Sequence, residues 1–192
     1  MNEAEKIKRL KSGDASAFEL FVKEFQLKVY NTCLGLLQNE EDAEDISQEV
    51  FITVFQSIRH FKERSSLSTW VYRITVTRSL EFLRMKKRKK RFAFFQTIFS
   101  DEKGEIRTQA LHFYHPGVQL ENKERAAILF KAIEQLPENQ KTAFILHKLE
   151  ELSYAEIAEV MKLSVSSIES LMFRAKQNLQ KLLGRYYEKN EK

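Results

Sequence analysis

The stretch Leu152–Leu183, LSYAEIAEVMKLSVSSIESLMFRAKQNLQKLL, decides the reading of this chain. Ser153, followed three residues later by Glu156, forms a capping box: each side chain satisfies a backbone N–H of the first turn, so a helix starts here. Ile157, Ala158 and Met161 then keep helical spacing. Lys162–Ser164 breaks the pattern, and Ser164 can cap a second helix. In that helix Val165, Ile168, Met172, Ala175, Leu179 and Leu182 recur every three or four residues and share one buried stripe. The opposite face carries Ser166, Ser167, Glu169, Ser170, Phe173 and Arg174. Short polar side chains at the leading end and arginine further along suit a helix that reads base edges in a major groove. A plain helical hairpin is the competing reading, and Lys162, where such turns usually have glycine, fits it.

Composition supports an all-helical chain. Gly is 5 and Pro is 2 in 192 residues, too few breakers for a turn-rich β fold. The length suits one or two small domains. The N-terminus, MNEAEKIKRLKSGD, lacks the apolar core of a signal peptide, and no window approaches the roughly 20 apolar residues of a membrane span. A cytoplasmic protein without membrane insertion is expected. Cys33 is the single cysteine, so no intramolecular disulfide can form. The net charge is +5, with basic clusters at Arg84–Arg91 and in the last helix and an acidic one at Glu40–Glu49. Two separated basic sites suit a long anionic partner, although any single run also fits a solvated surface.

Along the chain, residues 2–37 read as helices interrupted at Ser12–Asp14. Asn39 caps a helix with Ala43, Ile46, Val50, Val54 and Ile58 as its core stripe. Phe61–Ser68 is a loop, and Ser68 or Thr69 starts a helix through Trp70, Ile74 and Leu80 into MKKRKKR. From Phe92 to about Leu120 the period fails, which predicts an irregular linker. Helices resume near Glu121 with Ala127, Phe130, Ile133 and Leu136, and Pro137 begins the next. The fold class is therefore all-α: two small helical domains joined by an irregular linker, the C-terminal one with a helix-turn-helix. The two domains, joined by this linker, are expected to move relative to each other.

Two further constellations stand out. Asp45, Gln48, Glu49 and Ile52 fall on one helical ridge opposite the core stripe, a surface that could dock a basic helix and would repel DNA. Phe61, Trp70 and Tyr72 are interleaved with Arg59, Lys62, Arg64, Arg73 and Arg78, a mix that suits single-stranded nucleic acid; Trp70 and Tyr72 fit a core equally well. Catalytic signatures are missing: there is no phosphate loop, nucleophile elbow or paired-histidine metal motif, and His112 and His115 lie in the irregular stretch.

Four motifs in order, GDASAFELFVKEF, NEEDAEDISQEVFITVF, FKERSSLSTWVYRI and LSYAEIAEVMKLSVSSIESLMFRAKQNL, resemble an extracytoplasmic-function (ECF) sigma factor, the small two-domain branch of the sigma-70 family. The resemblance implies a core-docking and −10-melting domain over 1–91, a linker over 92–122 and a −35-reading domain over 123–192. It implies that Asp45, Gln48, Glu49 and Ile52 meet the β′ clamp helices of core RNA polymerase. Phe61–Ser68, with Phe61, Lys62, Arg64 and Ser65, would capture a flipped base. Arg64 through Arg78, Arg73 among them, would support strand opening, and Arg78–Arg91, with Lys86 and Lys87, would meet the adjoining DNA. Ser166, Ser167, Glu169, Ser170, Phe173, Arg174 and Lys176 would face the −35 duplex. The implied partners are core polymerase (β′ clamp helices and β flap), promoter DNA in duplex and single-stranded form, and an anti-sigma factor. The free chain is expected to be a monomer that needs no cofactor and is not an enzyme. Thr77, Glu81 and Glu169 depart from the residues common in relatives. The alternative is a stand-alone helix-turn-helix regulator, which needs neither the acidic ridge nor the Phe61–Arg91 segment.

Overall fold

The computed structural model describes residues 2–99 and 123–190, with side chains over 2–92 and 125–184. Its helices are α1 (Glu3–Lys11), α2 (Ala15–Leu37), α3 (Glu40–Ser57), α4 (Leu67–Phe99), α5 (Lys123–Glu134), α6 (Glu138–Lys148), α7 (Tyr154–Met161) and α8 (Val165–Asn190). A 3₁₀ turn at Ile58–His60 follows α3, and no strand occurs among the described residues.

Local chemistry accounts for the boundaries. Asn2, Asp14 and Asn39 cap α1, α2 and α3 by accepting hydrogen bonds from the N–H groups of Glu5, Ala17 and Asp42. Ser153 and Glu156 form the reciprocal capping box of α7. Gly13, at φ +80°, turns the chain between α1 and α2 in a conformation glycine adopts freely. The start of α4 lies earlier than the sequence suggests: the Ser66 hydroxyl accepts from the Thr69 N–H at 3.0 Å. Its end lies later. The helix runs through Phe92 to Phe99, because this stretch holds no Pro or Gly to stop it. The rest of the expected linker, with Gly104, His112, His115 and Pro116, lies outside the described residues.

The helices α2, α3 and α4 pack around Phe21, Phe25, Val29, Val50, Val54, Leu67 and Val71. Helices α5 to α8 pack around Phe130, Ile133, Leu146, Ile157, Ile168, Met172 and Ala175. Two residues expected in that core are not there. Ala127 is exposed, and Val165, at the first position of α8, is 43% exposed.

The two helical groups also share a core, where the sequence suggested independent movement. Thr32–Leu37 of α2 is buried on every side, one face against its own group and another against α6. Cys33–Leu37 within it is apolar all round, the signature of a helix with no solvent face. A Cβ added at Gly35 would lie 3.0 Å from Ile145 Cγ2 and 3.2 Å from Leu149 Cδ1, so glycine lets α2 and α6 approach without displacing those side chains. The Gln38 side-chain amide donates to the Phe130 carbonyl at 3.0 Å. On the adjacent side α4 meets α7, and Arg84 pairs with Glu138.

Candidate nucleic-acid interface

Helix α8 is held from behind and open in front. Ile168, Met172, Ala175 and Leu179 are buried, and Asn178 donates to Gln140 of α6 at 2.8 Å. The preceding turn places Lys162 in the left-handed region, at φ 56°, the conformation a glycine would take there. The Ser164 hydroxyl accepts from the Ser167 N–H at 3.2 Å and lies 2.8 Å from the Ser167 hydroxyl, which fixes the first turn. Ser170 donates to the Ser166 carbonyl at 3.0 Å. Ser166, Glu169, Ser170, Arg174 and Lys176 are exposed, Ser167 is half-buried, and the Phe173 ring is 62% exposed. An aromatic ring left in water between a serine edge and an arginine is an unfilled contact surface. Gln177 and Gln180, which the sequence reading passed over, are exposed on the same helix. Their signal was the continuation of the polar period beyond Arg174.

Helix α3 presents the acidic ridge outward. Asp45, Gln48 and Glu49 are exposed while Ile46, Val50 and Val54 face the core. Neither Asp45 nor Glu49 forms an ion pair among the described residues. Ile52 is 56% exposed, and Phe55, one turn further on, is 52% exposed with its ring edge-on to Phe18 at 5.0 Å. The sequence reading missed Phe55, which the i, i+3 step from Ile52 signals. The ridge is thus acidic at one end and apolar at the other.

The segment between α3 and α4 departs from expectation at its first residue. Phe61 was expected to face nucleic acid. Its ring is only 5% exposed and packs on Trp70 at 5.0 Å, beneath the Lys11 ammonium at 5.9 Å. It is a pillar under the loop, because an aromatic ring this close to an apolar neighbour gains more from burial than from water. Lys62 and Arg64 are exposed and Ser65 is half-buried. Helix α1 braces the loop: Glu3 accepts from the Leu67 N–H at 2.8 Å, and Lys11 pairs with Glu63.

Along α4 the basic residues divide. The Arg73 guanidinium is half-buried and donates to the Glu159 carbonyl of α7 at 2.7 Å, so it faces the other helical group. Arg78 donates to Thr53 Oγ1 at 3.2 Å and pairs with Glu81 at 3.4 Å. Lys86 pairs with Asp42, and its ammonium lies over the Phe82 ring. Lys87 is exposed, as are Arg88–Arg91. Tyr72 is buried and donates from its hydroxyl to Glu150 at 3.0 Å.

The perturbed titratable groups lie between helices. Burial pushes the Glu150 carboxyl up to about 7 and draws the Lys141 ammonium down to about 8. Burial also pushes the Cys33 thiol up to about 11, which suppresses the thiolate. Among the described residues no cluster of His, Cys, Asp or Glu could hold a metal ion, and no helix is long and apolar enough to cross a membrane.

Two helix surfaces of opposite charge on one chain suit a protein that binds both DNA and a protein partner. Residues 21–89 match the family model of sigma-70 region 2, and residues 126–179 match that of sigma-70 region 4. The chain is 34% identical over 179 residues to the ECF RNA polymerase sigma-E factor of Haemophilus influenzae, covering 91% of each chain. It is 30% identical over 182 residues to the ECF RNA polymerase sigma factor SigW of Bacillus subtilis, covering 93% of this chain and 95% of that one. The chain belongs to the ECF branch of the sigma-70 family.

This sigma factor carries the region 2 match on α2, α3 and α4 and the region 4 match on α5 to α8. A stand-alone regulator would leave the first match unexplained. The sigma factor's fold is also similar to CnrH, solved with the cytosolic domain of CnrY, at a TM-score of 0.68 and 18% identity over 95% of this chain and 97% of that one. A second solved relative, RpoE bound to the anti-sigma factor NepR from Bartonella quintana, has a TM-score of 0.61 at 24% identity, over 85% of this chain and 96% of that one.

Proposed function

We propose that this sigma factor binds core RNA polymerase through the α3 ridge and directs initiation by reading two promoter elements. Residues 1–91 act as the docking and melting domain and residues 123–192 as the duplex-reading domain. Asp45, Gln48, Glu49, Ile52 and Phe55 meet the β′ clamp helices, with carboxylates toward basic groups and Ile52 and Phe55 toward apolar ones. Lys62, Arg64 and Ser65 hold an unpaired base of the −10 element, while Phe61 and Trp70 support the loop from below. Arg78, Lys86 and Lys87 follow the adjoining strand, and Arg73 joins them once it leaves α7. Ser166, Ser167, Glu169, Ser170, Phe173, Arg174 and Lys176 face the −35 duplex, and the β flap docks on the same domain.

One observation carries this reading: an unpaired acidic and apolar ridge on α3 and an open polar face on α8 occur on the same chain. A ridge of carboxylates is repelled by the phosphate backbone, so the ridge is for a protein. The chain works in the cytoplasm, as a monomer when free, and the polymerase supplies the chemistry. Solved relatives held by partner proteins support an anti-sigma factor as a further partner.

The test is transcription in vitro with core polymerase on genomic fragments. Added sigma factor gives promoter-specific starts, and Asp45→Lys with Glu49→Lys abolishes retention on immobilised core enzyme without lowering the melting temperature. Retention of the double variant would overturn the docking assignment, and a lack of specific starts with wild-type protein would overturn the whole reading.

A further inference from the structure

Glu169 stands on the second turn of α8, on its open polar face, exposed to solvent. A carboxylate is unexpected there. The other charged groups between Val165 and Gly184, Arg174, Lys176 and Lys181, are basic, as a helix flanked by two phosphate backbones requires.

Glu169 is not occupied within the protein. The positions three and four residues away on the helix are Val165, Ser166, Met172 and Phe173, none of them a cation. It forms no ion pair among the described residues. Its polar neighbours are committed: Ser164 and Ser167 to each other and the backbone, Ser170 to the Ser166 carbonyl. Glu169 is therefore a free acceptor at the end of the helix that enters a groove first.

The major groove offers a carboxylate few partners. Guanine presents two acceptors, and thymine an acceptor and a methyl group. Adenine sets its amino group beside the N7 acceptor, which repels a carboxylate. Cytosine alone presents an amino donor with no acceptor of its own. We infer that Glu169 is a specificity-determining residue that selects a cytosine within the duplex element read by α8, accepting a hydrogen bond from the N4 amino group. The inference rests on the proposed −35 reading and names one base within it.

The experiment uses holoenzyme, reconstituted from the full chain and core polymerase, on a promoter library randomised across the −35 element. Wild-type protein enriches cytosine at one position. Glu169→Gln, an isosteric change at a surface site that leaves the fold and its melting temperature intact, reduces that preference by about tenfold. Glu169→Arg replaces it at the same position with guanine, whose O6 and N7 accept from arginine. An unchanged base preference in both variants overturns the inference and leaves the promoter reading standing. A uniform gain by Glu169→Arg on all sequences also overturns it, since it would place Glu169 beside a phosphate. If wild-type holoenzyme enriches no −35 sequence at all, the parent reading of α8 fails instead.

Discussion

The Tyr72 hydroxyl lies 3.0 Å from the Glu150 carboxylate, and this hydrogen bond ties α4 to the turn between α6 and α7. It is one of a set of contacts, with Arg73 to the Glu159 carbonyl and Arg84 to Glu138, that hold the region 2 and region 4 helices together. An arginine proposed for DNA is thus engaged inside the protein when the two groups are closed.

Closure should depend on pH. Burial pushes the Glu150 carboxyl from 4.5 up to about 7, with Tyr72 and Lys28 opposing the shift. A raised value means that the closed state favours the protonated form. Its contribution is whole below about pH 4.5, declines as pH rises and is gone above about pH 7, with a ceiling of about 3 kcal/mol. Dyes attached to cysteines placed at Gln56 and Gln180 would report the distance between groups by energy transfer. The buried Cys33, its thiol pushed up to about 11, stays unlabelled. The closed population falls between about pH 4.5 and pH 7 in the wild type and becomes flat with pH in Glu150→Gln. An unaltered profile in that variant would remove Glu150 from the latch.

The approach of α2 to α6 gives a second lever. A side chain at Gly35 would collide with Ile145 and Leu149. Gly35→Leu improves the intrinsic helicity of α2, yet overpacks the contact between groups by about 1–3 kcal/mol. The expected result is lower energy transfer between the same dyes at every pH, with helical content retained by circular dichroism. Wild-type transfer efficiency would show that the contact yields without separating.

Stability and nucleic-acid affinity should separate within the loop before α4. Phe61→Ala removes a ring packed on Trp70 and should lower stability by about 3–5 kcal/mol in urea unfolding. Arg64→Ala, at an exposed position, should change stability by less than about 0.5 kcal/mol. It should instead weaken binding of holoenzyme to a single-stranded −10 oligonucleotide and flatten the salt dependence. The opposite pattern would return Phe61 to the binding surface.

Much of this arrangement was legible in the residues, for local reasons. The Ser153–Glu156 capping box and the Asn39 cap depend on four consecutive residues, so sequence alone specifies them. The α3 and α8 faces are periodic, and periodicity maps directly onto exposure. What escaped was non-local. Phe61 looked like a loop residue because its cover comes from Lys11, fifty residues earlier, and from Trp70. Arg73 looked free because the carbonyl that holds it belongs to Glu159. Cys33–Leu37 did carry a signal, a run of apolar residues with no polar face, which marks a helix covered on both sides.

That run has a consequence for biosynthesis. Chains leave the ribosome at about 5–20 residues per second, so the helix that covers Gly35 is made roughly 5–20 s after Gly35 itself. During that interval a greasy collar is bare on a nascent chain whose first four helices are otherwise ready to fold, and holdase chaperones have their opportunity before the partner helix emerges.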